Sequence, residues 1–423
     1  MSEIYLISDT TSERDLLNFK RYVSPLIEIL ENPQTQTPFT IGVFGPWGSG
    51  KSTLIDYLDR RLSKNFYRIK FNPWIYRNDR NLIVPLLHTI QDDLSKSKDN
   101  KIVEAAKRIG TVLARVGAAL FLKTVTANQV SLEDVEKQEQ VYLDQYKRAK
   151  SEIRNLRHEL QGVVDHITNK GQPTDDSPVS RVIFFIDDLD RCQPEQIVAL
   201  MEAIKLFLDL QYCFFIIALD EEVIHRAIQI KYQRFEFSEE RKNQIGREYL
   251  EKMIQLPLYL YPLSETEIEQ YLNGLMLPPD ILGQTSLFAK ILLPNPRKVK
   301  RILNLFLLNV GVLRTDPQLA KQIKLDVLSR LITIQVQEFD LYAAIVKHKD
   351  LPEYLSKVYA KKIQLDDKSQ WANLDARRDE VIALCSRYYR PGSWLERVFE
   401  TDAFPAATQV NQYFNMLGQV VRN

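Results

Sequence analysis

Nine residues, GPWGSGKST (Gly45–Thr53), carry the most explicit chemistry in this sequence. Gly45, Gly50, Lys51 and Ser52 satisfy G-x-x-x-x-G-K-[ST], a spacing in which the glycines let backbone amides close around phosphate oxygens. The amides of Gly48, Ser49, Gly50, Lys51 and Ser52 are expected to form an anion nest, reinforced by the N-terminus of the helix that Thr53 continues. Lys51 would meet the β- and γ-phosphates as a compact point charge. The Ser52 hydroxyl would ligate Mg²⁺, a hard cation that takes oxygen ligands. Pro46 and Trp47 are unusual inside such a loop, where small residues are the rule. Neither needs to point into the nest. Proline fixes φ at about −65° and lowers the entropy lost on ordering, and Trp47 is expected to turn outward, onto the core, a lid or a neighbouring subunit.

A phosphate loop needs an acid at the end of a buried strand, and VIFFIDD (182–188) supplies one. Asp187 ends the apolar run and would hold Mg²⁺. Asp188 stands where many ATPases place a glutamate that polarises the attacking water. Aspartate is one methylene shorter, so slow turnover is expected; the other reading makes Asp188 a helix-terminal or salt-bridge acid. Arg191 either pairs with a neighbouring acid or senses phosphate in a partner subunit. Asp220, at the end of the next apolar run, is expected to cap the helix EEVIHRAI, the other reading being that it orients water. No [NT]KxD element for guanine is present, since NKGQ (169–172) lacks the aspartate, and ATP is the default nucleotide.

The elements that must position these residues are legible in the patterning. An amphipathic helix is expected over 12–30, with Leu16, Phe19, Val23, Leu26 and Leu30 on one face. Apolar strands follow at 39–45, at FYRIKFN, at 181–188 and at 212–220, separated by helices. Strands that are nearly continuous in apolar residues and alternate with helices argue an α/β fold with a P-loop-type parallel sheet covered on both faces. From Glu267 onward only helical periodicity remains. Four regions are expected: an N-terminal helix packing on the core (1–38), the nucleotide-binding core (39–262), a helical lid (263–330) and a C-terminal helical domain (331–423).

Residues 100–168 interrupt the α/β pattern. Ile102, Ala105, Ile109, Val112, Val116 and Ala119 recur at steps of three and four, and after TANQ the rhythm resumes from Leu132 to Ile167 with Glu139 as the break. Two heptad helices joined by a polar turn predict an inserted antiparallel coiled-coil hairpin, its longer arm ~50 Å at 1.5 Å per residue. A membrane span is the rival reading; Arg115 and Lys123 interrupt a stretch that would need ~20 mostly apolar residues.

A net charge of +1 over 423 residues gives no global electrostatic case for nucleic acid or an anionic membrane. The basic run KRAKSEIRNLR (147–157) is read as a solvated helix face. Cys192, Cys213 and Cys385 lack metal-ligand spacing, and Cys213 lies in an apolar run expected to be core. MSEIYLISDT has no basic segment followed by an apolar one, so a cytoplasmic, reducing setting is expected.

Taken together, several stretches resemble the KAP family of P-loop NTPases: GPWGSGKS, FNPW (71–74, with Pro73 where alanine is usual), IDDLDRC (186–192), ALDEEVIHRAI, YLEKMIQLPLYLYP and NPRKVKRILN. The resemblance covers about residues 12–312 and leaves 313–423 unmatched. It implies an ATPase of the AAA+/STAND-like branch in which hydrolysis drives or times a conformational switch. It places Arg297 where an arginine of the helical lid would touch the γ-phosphate. It also implies a separate effector or regulated protein, with phage defence as a setting, and leaves a homo-oligomer open; Arg191, Arg226 and Arg247 are then candidates for an arginine acting across subunits. Many members insert transmembrane helices where the heptad hairpin sits here, so this chain is read as one without membrane association. The rival functions are a nucleotide-binding membrane-linked or structural scaffold with little turnover and a small-molecule phosphotransferase.

Overall fold

The structure is a computed structural model that describes residues 5–9, 14–79, 82–98, 100, 102–104, 106–107, 109–111, 154–155, 157–171, 179–207, 210–231, 238–275, 277–400, 404 and 407–421. Two compact units make up the chain, one of Phe19–Leu260 and one of Met1–Asn18 with Tyr261–Asn423.

The first unit is built on a five-stranded sheet in the order β2-β3-β4-β1-β5. The strands are β1 Phe39–Phe44, β2 Phe66–Phe71, β3 Arg181–Ile186, β4 Cys213–Leu219 and β5 Leu256–Tyr259. Every neighbouring pair is parallel. All seven residues of β4 are buried, as its unbroken run CFFIIAL requires of a central strand covered on both faces. Phe184 of β3 stacks on Phe215 of β4 at 4.8 Å between ring centroids, fixing one face of the sheet. In the register, Phe44 pairs with both Leu219 and Tyr259, and Ile186 pairs with Phe71 and Ile217. The carboxyl ends of β1, β2, β3 and β4 therefore lie along one edge, where ligands bind in open parallel sheets.

The first helix and the strand count differ from expectation, and the expected hairpin falls largely outside the described residues. The first helix is shorter than the periodicity suggests: it spans Lys20–Glu31 and buries Val23, Leu26 and Leu30. Asn18 adopts φ 54°, a left-handed conformation that interrupts any helix before it, and Leu16 packs in the helical unit instead. The expected N-terminal region, residues 1–38, is thus divided between the two units. The fifth strand, within the stretch LPLYLYP (256–262), is not among the expected strands. It carries Pro257 and is alternately half-buried and exposed, as an edge strand allows. The turn of the expected coiled-coil hairpin and most of both its arms fall on 112–153, outside the described residues. Of the ends that are described, Ile102, Ala106, Ile109, Leu160, Val163, Val164 and Ile167 are buried in the same apolar cluster as β3 and β4.

No strand follows β5 among the described residues. The second unit has its own core, in which Phe288 and Phe306 meet edge to face at 5.3 Å. The position expected as a boundary, residue 330, lies inside the helix Leu325–Gln337. Residues 5–9 lie against the helix Pro296–Thr315: the Asn304 side chain accepts from the Ile7 amide at 2.7 Å and donates to the Ile7 carbonyl at 2.9 Å. The three cysteines are free and buried, Cys213 within β4. Among the described residues no helix is long and apolar enough to cross a membrane.

Candidate nucleotide site

The loop between β1 and the helix Lys51–Arg61 is shaped by its glycines. Gly48 (φ 84°) and Gly50 (φ 101°) take left-handed conformations, which glycine adopts without steric cost. Gly45 is fixed for another reason: a Cβ there would lie 2.6 Å from Ser49 Oγ and 3.3 Å from Leu260 Cβ. The Ser49 hydroxyl is itself buried without a hydrogen-bond partner. Thr53 continues the helix, which buries Leu54, Ile55 and Leu58 and so anchors the loop to the core.

Lys51 is only 7% exposed. Its ammonium donates to the Gly45 carbonyl at 2.8 Å and to the Pro46 carbonyl at 3.4 Å, and pairs with Asp190 Oδ2 at 3.2 Å. A buried cation is thereby held at the mouth of the loop by a carboxylate from the turn after β3. Motif spacing singles out Lys51 and assigns Asp190 no role.

Asp187 immediately follows β3, and its carboxylate accepts from the Ser52 side chain and, at 2.8 Å, from the Asp188 amide. The two ligands expected for Mg²⁺ are therefore in contact. Burial pushes the Asp187 carboxyl above its ordinary range, the two hydrogen bonds oppose that shift, and the charges of Asp188 and Asp190 add to it. Among the described residues no group of three or more His, Cys, Asp or Glu forms a ready-made metal cage. One buried carboxylate with one hydroxyl is nonetheless a fitting partial set for Mg²⁺, which keeps waters and takes phosphate oxygens for its other positions.

A stability prediction follows from that burial. A carboxyl whose folded-state pKa is raised stabilises the fold while protonated, and that stability is lost as pH rises through the raised pKa. Asp187→Asn removes the buried charge while keeping one acceptor oxygen for the Asp188 amide. The variant is expected to gain on the order of 1 kcal/mol at neutral pH over the wild type, read as a higher urea midpoint; an equal or lower midpoint contradicts the account.

Asp188 adopts φ 60°, ψ 24° and starts the short turn Leu189–Arg191. Aspartate tolerates this left-handed region better than most residues. Both its oxygens are engaged: Oδ1 pairs with Arg191 Nε at 2.7 Å, and Oδ2 accepts from Asn72 Nδ2 at 2.9 Å. Asn72 follows β2, and its side-chain Oδ1 accepts from the Trp74 amide at 3.0 Å. The Arg191 guanidinium lies 5.7 Å from the Trp47 ring centroid and 5.4 Å from that of Trp74. Trp47 is 65% exposed and does turn outward, here toward a cation of its own chain.

The remaining arginines sit apart from this cluster in their pairings. Arg226 pairs with Glu222 at 2.6 Å on an exposed helix face, and Arg247 borders a cavity of about 210 Å³ with Glu221 and Glu251. In the helical unit Arg297 pairs with Asp9 at 2.6 Å, beside Lys300, which donates to the Ser8 carbonyl at 3.0 Å. Asp220 caps the helix Glu221–Lys231 by accepting from the Glu222 amide at 3.1 Å.

The decisive comparison is with protein families. The model of the KAP family P-loop domain matches residues 19–313, well over half of the sequence. The chain belongs to the KAP family of P-loop NTPases. Among individual proteins, it is similar to uncharacterized protein MJ0182 of Methanocaldococcus jannaschii, 25% identical over 183 residues, with 36% of this chain and 89% of that protein covered. It is also similar to the kinase D-interacting substrate of 220 kDa of rat and human, 40% identical over 53 residues. That match spans 12% of this KAP chain and 3% of the larger protein. Among solved structures, Cdc6p from Pyrobaculum aerophilum aligns over 98% of each chain at 12% identity and a TM-score of 0.44. Likeness at that level carries no functional information.

Asn72 and Asp190 are the functional candidates that motif spacing does not reveal. FNPW carries the family resemblance without assigning its asparagine a role, and Asp190 lies inside IDDLDRC as one acid of three. The alternation of β2 and the turn after β3 decide which side chains converge there, and neither is encoded by spacing alone.

Proposed function

We propose that this KAP NTPase binds and hydrolyses ATP with Mg²⁺ and uses the nucleotide state to control a partner protein. The observation that carries this reading is the convergence of Lys51, Ser52, Asp187 and Asp188 at the carboxyl edge of β1 and β3. The loop amides and Lys51 bind and neutralise the phosphates. Ser52 and Asp187 would hold Mg²⁺, which supplies charge neutralisation on the β- and γ-oxygens. Asp188 orients the attacking water, and its short side chain makes turnover slow.

Arg297 is proposed as a further phosphate contact, exchanging its Asp9 carboxylate for a phosphate oxygen. Binding that favours one state stabilises it by roughly 2.7 kcal/mol at a hundred-fold excess over Kd, enough to bias a two-state lid. A separate effector or regulated protein is the proposed reader of that state, and phage defence the proposed setting. Small-angle scattering of the Asp188→Asn chain with MgATP and of the wild type with MgADP tests the switch. Two distinct radii of gyration are expected; identical profiles at saturating nucleotide would overturn it.

A further inference from the structure

The ring of contacts around Arg191 joins the phosphate loop to the residue that must orient water. From Trp47 of the loop it runs to Arg191, then to Asp188 Oδ1; from Asp188 Oδ2 it returns through Asn72 to Trp74, whose ring also faces Arg191. Arg191 thus touches three of the other members. It is also partly exposed, so its hold on Asp188 is modest and reversible.

A carboxylate that orients a water needs one oxygen directed at that water. Oδ1 is held by a guanidinium and Oδ2 by an amide, so the Asp188 carboxylate is oriented by Arg191 and Asn72. We propose that Arg191 is a positioning residue that parks Asp188 away from the attacking water, and that Trp47 makes this restraint depend on the phosphate loop. The inference rests on the reading of the site as hydrolytic.

The chemistry explains the residue types. Arginine alone offers Nε to a carboxylate while its planar face rests on aromatic rings; lysine, a point charge, does not do both. Tryptophan is the strongest aromatic partner for such a cation. The proline and tryptophan inside the loop thus acquire a role distinct from phosphate binding. They present, on the loop itself, one wall of the arginine's seat. A loop that shifts on closing around phosphate moves that wall and loosens the hold on Asp188; the part of the hold that persists with ATP bound limits kcat.

The test is steady-state phosphate release for wild type, Arg191→Ala, Trp47→Ala, Trp47→Phe and the double variant Trp47→Ala/Arg191→Ala. Removing the restraint is expected to raise kcat about five-fold, the ratio to which a pair worth ~1 kcal/mol corresponds, with KM for ATP unchanged. Trp47→Ala is expected to give a smaller rise, Trp47→Phe to retain the wild-type kcat, and the double variant to go no higher than Arg191→Ala. A merely structural role would instead lower kcat or shift KM. Equal or reduced kcat in both Arg191→Ala and Trp47→Ala overturns the proposal, as do effects that add in the double variant. Trp47 is exposed, so its substitution keeps the test valid should Arg191→Ala fail to fold. A wild type that releases phosphate beside variants that show no rise defeats only this proposal; a wild type with no release defeats the hydrolytic reading, and this proposal with it.

Discussion

Replacing Lys51 with alanine is expected to weaken MgATP binding by about two orders of magnitude. A hydrogen bond to a charged group is worth roughly 1.5–3 kcal/mol, and ~2.7 kcal/mol corresponds to a hundred-fold change in Kd. Lys51 is buried at the mouth of the loop and is the cation that its geometry directs there. The same substitution removes the partner of Asp190, which is itself nearly buried. Breaking such a pair from one side typically costs about 3–5 kcal/mol, so the variant should also lose stability. The two effects separate when calorimetric titration is run well below the variant's melting temperature. Lys51→Ala/Asp190→Ala should then recover stability but not affinity, since the orphaned carboxylate is gone and the phosphate contact is still missing. Unchanged affinity in Lys51→Ala sinks the site assignment.

Asp188→Asn is expected to separate binding from turnover. The side-chain oxygens of Asp188 face Asn72 and Arg191 rather than Lys51 or the loop glycines. Losing a carboxylate that orients and polarises water typically costs about 10²–10⁴ in rate. MgATP affinity should stay within a few-fold of wild type, and the ATP-bound state should persist for far longer. Loss of binding together with turnover would instead mean that Asp188 supports the loop and that another group acts on water.

Much of this site is legible in the sequence because phosphate binding demands residue types at fixed spacing along a continuous stretch. Gly45, Gly50, Lys51 and Ser52 lie in one loop, and Asp187 announces itself as the first acid after an apolar strand. Of the five strands, β3 and β4 are the plainest, because they are buried on both faces and read as unbroken apolar runs. What escapes depends on contacts across the sheet. Asn72 and Asp188 are 116 residues apart in sequence, and only the β2–β3 register brings them to 2.9 Å. The strand Leu256–Tyr259 escapes because its run LPLYLYP contains Pro257, and a proline reads against a strand although an edge strand tolerates it. The first helix reads too long in sequence because periodicity continues through Leu16 and Phe19, while the left-handed Asn18 between them leaves no mark in a hydrophobic pattern.

Trp47 shows the value of combining the two kinds of reading. The sequence marks it as an oddity in a phosphate loop, and the structure shows it against Arg191, one side chain away from Asp188. The motif pairs that make the chain recognisable, Pro-Trp in the loop and Asn-Pro-Trp after β2, are thereby joined through a single guanidinium.

The most direct test of the account is phosphate release from ATP by the purified wild-type chain, with Mg²⁺ and with EDTA, alongside Lys51→Ala. Slow release that requires Mg²⁺ and disappears in Lys51→Ala is predicted. Release that persists undiminished in Lys51→Ala, or a wild type that neither binds MgATP nor releases phosphate, would contradict it.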